Sequence, residues 1–70
     1  MRICDGVHWL EYHRGRTVYH VDADVRGSVS NGTVVVDSEG AEWMLSRLLQ
    51  IRDSRKDRGA LEFRWAVVPM

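Results

Sequence analysis

The stretch SVSNGTVVV, residues 28–36, limits what this chain can fold into more than any other segment. Asn31-Gly32 accepts the positive φ angles of a two-residue type I′ turn, so a β-hairpin is predicted with Ser30 opposite Thr33 and Val29 opposite Val34. Followed backwards, Thr17, Tyr19, Val21, Ala23, Val25 and Val29 fall on one apolar face at a spacing of two. Val18, His20, Asp22, Asp24 and Arg26 take the other face. The pattern predicts one long strand over residues 17–29, with Gly27 marking a bend.

Upstream, VHWLEYHRGRTVYHV holds all three histidines and both tyrosines. Gly15 suits the left-handed position of a three-residue loop at HRGR, which pairs Tyr12 with Arg16. In that register His8, Leu10 and Tyr12 share an outer face with Val18 and His20. Val7, Trp9 and Glu11 point towards the core. A two-residue loop exchanges the two sets, because a slip of one residue inverts a strand.

Downstream, Asp37 or Ser38 offers a helix cap, and Glu39 and Glu42 complement the first turn. At helical spacing Ala41, Met44, Leu45, Leu48 and the stem of Arg52 form one stripe, flanked by Leu49 and Ile51, which predicts a helix over residues 39–53. Trp43 falls on its far side, one turn before Arg47, in position for a cation–π contact or for cover by the tail Val68-Pro69-Met70. DSRKDRG then reads as a polar loop. ALEFRWAVV alternates Leu61, Phe63, Trp65 and Val67 inward against Glu62 and Arg64 outward.

The expected fold is therefore α+β in the order β-β-β-α-β: a four-stranded, mainly antiparallel sheet with one helix packed on one face. The last strand is expected to lie parallel to the first. Seventy residues make one domain, residues 1–70. The β-β-β-α-β order, with YHVDADVRG leading towards a helix, resembles the antitoxin domain of HicB-type toxin–antitoxin pairs. In that family a glycine-threonine turn runs almost directly into the helix, whereas NGTVVVDSEG inserts a strand first. The resemblance carries no residue or activity over to this chain.

Ten basic residues balance ten acidic ones, so partner choice must be local rather than steered by net charge. The single cysteine, Cys4, permits no internal disulfide and no cysteine-based zinc site, and points to a reducing, cytoplasmic setting. No apolar run approaches a membrane span.

Cys4 with a nearby histidine could imitate a thiolate pair, but near the start of the chain a passive apolar role is commoner, and no phosphate loop or metal spacing such as HExxH is present, so no catalytic residue, cofactor or metal is expected. His8 and His20 with Asp22 form the one combination that could ligate a metal in the three-residue-loop register, and cross-strand histidines are also ordinary surface residues.

An outer face centred on His8, Leu10, Tyr12, Val18, His20 and Val35 inside a charged rim has the make-up of an interface. With Trp43 and Arg47 it is the expected contact surface for another protein or a second copy of this chain. The expected function is a small non-enzymatic inhibitor or regulator, most specifically a phage anti-defence protein of the anti-CRISPR kind. The alternative is a nucleic-acid-binding accessory protein using Arg14, Arg16, Arg55, Lys56 and Arg58 as phosphate contacts.

Overall fold

A computed structural model describes residues 3–54 and 60–70, with side chains for 3–52 and 61–70. The described residues form six strands and no helix: β1 Ile3–Arg14, β2 Thr17–Val21, β3 Arg26–Ser30, β4 Val34–Val36, β5 Glu42–Ser54 and β6 Ala60–Pro69. They build one mixed sheet in the order β2-β1-β6-β5-β4, with β3 also paired to β1. The α+β expectation, and with it the resemblance to HicB-type antitoxins, falls with the helix.

The segment expected to be helical is strand β5, antiparallel to β6. Opposite residues of an antiparallel pair share a face. The register sets Leu45 against Val67, Leu48 against Trp65 and Ile51 against Phe63, with irregularities between Leu45 and Arg47 and between Leu48 and Gln50. Each irregularity is a β-bulge that adds one residue. Positions on β5 that share the face of the β6 core residues therefore recur every third residue where β6 repeats every second, with Leu45 buried, Leu48 half-buried and Ile51, towards the end of the strand, exposed. That spacing imitates one face of a helix.

The residues offered as helix caps close a turn instead. The Asp37 carboxylate accepts the amides of Glu39 and Ala41, each at 2.9 Å. The Asp37 amide donates to the Ala41 carbonyl at 2.9 Å, turning the chain back into β5.

Strands β2 and β3 share one edge of β1, running antiparallel to it in line. Together they form the long second strand expected from the sequence, interrupted at residues 22–25. Between the pairs Leu10–Val21 and Val7–Arg26, β1 advances three residues and the other strand five, a surplus of two. Two residues are a full strand period, so Val21, Val25 and Val29 all stay buried.

The Asn31-Gly32 turn forms, with the Thr33 amide donating to the Ser30 carbonyl at 3.0 Å. Beyond it the expected Val29–Val34 pairing is lost, because β3 pairs with β1 and β4 with β5. Gly32 donates to the Leu45 carbonyl at 2.7 Å and Leu45 to the Thr33 carbonyl at 2.8 Å. These bonds join the turn after β3 to β5 and curl the sheet towards a barrel.

The core inside this curl comprises Cys4, Leu10, Val21, Val25, Val29, Leu45, Phe63, Trp65 and Val67. Strand β6 lies parallel to β1, as expected, and pairs His8 with Phe63 and Leu10 with Trp65. At Gly6 the strands come so close that any β-carbon would collide with the Leu61 carbonyl.

Candidate interaction surface

The two-residue turn Gly15-Arg16, with Gly15 at φ +60°, decides which side of β1 is exposed. It pairs Arg14 with Thr17 and Tyr12 with Tyr19, not Tyr12 with Arg16. This is the alternative register, and it exchanges the two side-chain sets. His8, Leu10 and Tyr12 therefore face the interior, while Val7, Trp9, Glu11 and His13 face outward.

Four members of the expected surface are corrected: His8, Leu10 and Tyr12 turn inward with this register, and Val35, paired with Trp43, packs against the core. Leu10 is fully buried and His8 nearly so. Trp65 Nε1–H donates to His8 Nδ1 at 3.0 Å, and His8 Nε2 bonds the Gly27 carbonyl at 2.9 Å. An indole N–H only donates and a carbonyl only accepts, so the ring carries its proton on Nε2 and both nitrogens are satisfied. His8 also stacks on Phe63 at 5.1 Å between ring centres. It is a polar strut of the core, and it lies on the opposite face from His20, so the His8–His20–Asp22 combination is not assembled. Tyr12 packs between Tyr19, at 6.0 Å, and Trp43, at 5.1 Å.

Trp43 and Arg47 are separated as well. The register sets Arg47 against Ala66 and Trp43 against Pro69, and the bulge after Leu45 leaves them on opposite faces. The Trp43 indole N–H donates to Asp37 at 2.8 Å. That bond, ahead of those from the backbone amides of the turn, holds the Asp37 carboxyl below its ordinary value of 3.8.

What remains outside is a different constellation. Trp9 is 46% exposed near the middle of the outward face, 5.9 Å from the His20 ring. Val18 is half exposed beside them on β2. Glu11 is held between His13 Nε2 at 3.1 Å and Arg64 Nε at 3.2 Å. Trp9, Gln50, Arg52, Glu62, Phe63 and Arg64 line a shallow groove of about 260 Å³. Further along the same face the register places Val34, Met44 and Val68 in one row.

Of the expected contacts, Val18 and His20 are brought together on this face. Arg14 and Arg16 are exposed at the hairpin tip. Arg55, Lys56 and Arg58 lie outside the described residues. Sequence spacing does not single out Trp9, because a three-residue loop at HRGR would turn it inward, whereas the two-residue turn turns it outward. Glu11 carried the warning: the three-residue register pointed a carboxylate at the core, which is costly without a partner.

Among the described residues, no group of three or more metal-binding side chains is assembled, and no helix is long and apolar enough to cross a membrane. Comparison with known protein families, curated proteins and solved structures finds no match for this chain.

Proposed function

We propose that this protein is a non-enzymatic binding module that inhibits or organises a protein partner through the outward sheet face around Trp9. The observation that carries this reading is the indole itself, left 46% exposed while Trp65 on the next strand is buried. Tryptophan ranks first among interface anchors, and an aromatic centre inside a charged margin suits a protein contact. Trp9 has that setting, with His20 and Val18 on one side and Glu11, Arg64 and Arg52 on the other. The buried, reduced Cys4 fits action in the cytoplasm. The narrower reading, a phage anti-defence protein of the anti-CRISPR kind, is supported by chain length alone.

A photo-crosslinking amino acid at position 9 tests the proposal in cells that express the protein. Covalent adducts to one protein, competed by unlabelled chain and absent when the label replaces Asn31 at the exposed turn far from Trp9, are the expected result. Adducts to nucleic acid would transfer the function to the arginine-based alternative. Absence of any specific adduct would reject this face as the contact surface.

A further inference from the structure

We infer, on the reading of this outward face as a protein contact, that the partner presents an acidic side chain close to an aromatic one, the carboxylate gripped by Arg64 and the ring laid on Trp9. Parallel pairing with β1 puts Arg64 beside Trp9, and antiparallel pairing with β5 puts Gln50 on its other side. Opposite residues of neighbouring strands share a face, with about 4.8 Å between strands, so indole, guanidinium and amide form one row across the sheet. Arg52 and Glu62 make the next row, and both rows line the groove.

Arg64 is tethered within this row. Its Nε lies 3.2 Å from Glu11 Oε2, and the other oxygen of that carboxylate lies 3.1 Å from His13 Nε2. Of the two partners Arg64 is the more exposed, and among the described residues no second carboxylate is paired with it. A guanidinium has five N–H donors, of which Glu11 meets the one on Nε. The two terminal nitrogens, the fork that grips a carboxylate through parallel bonds, are left for an incoming group. An ion pair open to water is worth little, whereas one flanked by an aromatic contact that excludes water is strengthened. Trp9 supplies that flank, since its indole stands next to Arg64 and is itself exposed for stacking.

Charge on the face selects the occupant. Arg47, opposite the outward Ala66, joins Arg52 and Arg64 against Glu11 and Glu62, so the face is positive by one charge before His13 or His20 takes up a proton. Neither Arg47 nor Arg52 has an ion-pair partner among the described residues. The two glutamates interrupt the arginines, which leaves no continuous basic track for a phosphate backbone, whose binding grows with the number of phosphates neutralised. A single carboxylate needs only one fork. A second copy of this chain laid on the same face would bring one positive excess against another.

Panning a random dodecapeptide library displayed on phage against the immobilised protein is the test. Enriched sequences are expected to carry aspartate or glutamate within about three positions of an aromatic residue, the reach over which an extended or helical segment shows two side chains on one side. Enrichment of these sequences should vanish on Trp9→Ala and on Arg64→Glu. In titrations with one such peptide, Arg64→Glu should raise Kd by roughly tenfold or more, and the same peptide with lysine at its acidic position should recover that loss. Arg64→Lys keeps the charge, which guards against loss of the fold, but not the paired bonds, and should still weaken binding severalfold.

Peptides that need Trp9 but ignore both changes at Arg64, or that are enriched without any acidic residue, would overturn the carboxylate assignment and leave the Trp9 face as the contact. Peptides that bind Trp9→Ala as tightly as the wild type would reject the face itself. A library that yields no enrichment would overturn the acidic partner, whereas protein adducts at position 9 would still uphold the face.

Discussion

Strands β5 and β6 lie side by side with opposite relations between sequence and structure. β6 follows the rule of a half-buried strand, with Phe63, Trp65 and Val67 buried and Glu62 and Arg64 turned away. β5 meets the same three core residues with Ile51, Leu48 and Leu45, at steps of three. A curled sheet forces the difference. Strands on a bending surface need extra residues at bulges, which also increase the local twist. Apolar periodicity thus reports the path of a strand only where that path is regular.

Single-residue deletions should break the two strands very differently. Removing Arg64 from β6 throws Leu61 and Phe63 to the opposite face, and cooperative unfolding in denaturant should disappear. Next in size is Trp65→Phe, which keeps an aromatic ring but leaves His8 Nδ1 without its donor. The expected loss is about 1–3 kcal/mol in the same titration. Removing Ser46 from β5 deletes a bulge, leaving Leu45 and Arg47 against Val67 and Ala66. The hydroxyl bond from Ser46 to the Ala66 carbonyl, 2.9 Å, is lost, and the cost should be near 1 kcal/mol. Equal damage from both deletions would refute the bulge assignment.

A smaller effect belongs to the turn leading into β5. The Asp37 carboxyl is depressed in the fold, chiefly by the Trp43 indole. A depressed carboxyl contributes stability that is present above its ordinary value of 3.8 and lost as pH falls through the lower folded value. Stability measured from about pH 5 down to about pH 2 should therefore fall less steeply in Asp37→Asn than in the wild type. Parallel curves would show that the carboxylate does not hold the turn. Smallest of all is Trp9→Ala, expected within about 0.5 kcal/mol of wild type because this indole stands outside the core.

The legible part of the fold was the part where local rules and tertiary context agree. Leu61 to Val67, the faces of residues 17–29, the Asn31-Gly32 turn and the parallel placement of β1 beside β6 could all be read from residue spacing. The phase of β1 hung on one residue of loop length at Gly15, and that residue decided whether Leu10 or Trp9 was buried. The helix assigned to residues 39–53 failed because bulges at Ser46 and Leu49 reproduce a near-helical spacing, and Asp37 serves a tight turn as readily as a cap. Of the surface, Val18 and His20 were legible. Trp9 was hidden behind the β1 error.

Nuclear Overhauser contacts along β5 test the account most directly. Leu45 should approach Val67, Leu48 should approach Trp65 and Ile51 should approach Phe63, with steps of three on one strand matched to steps of two on the other. Strong amide-to-amide contacts between successive residues from 42 to 53, joined by contacts between residues three apart, would mean a helix and would contradict it.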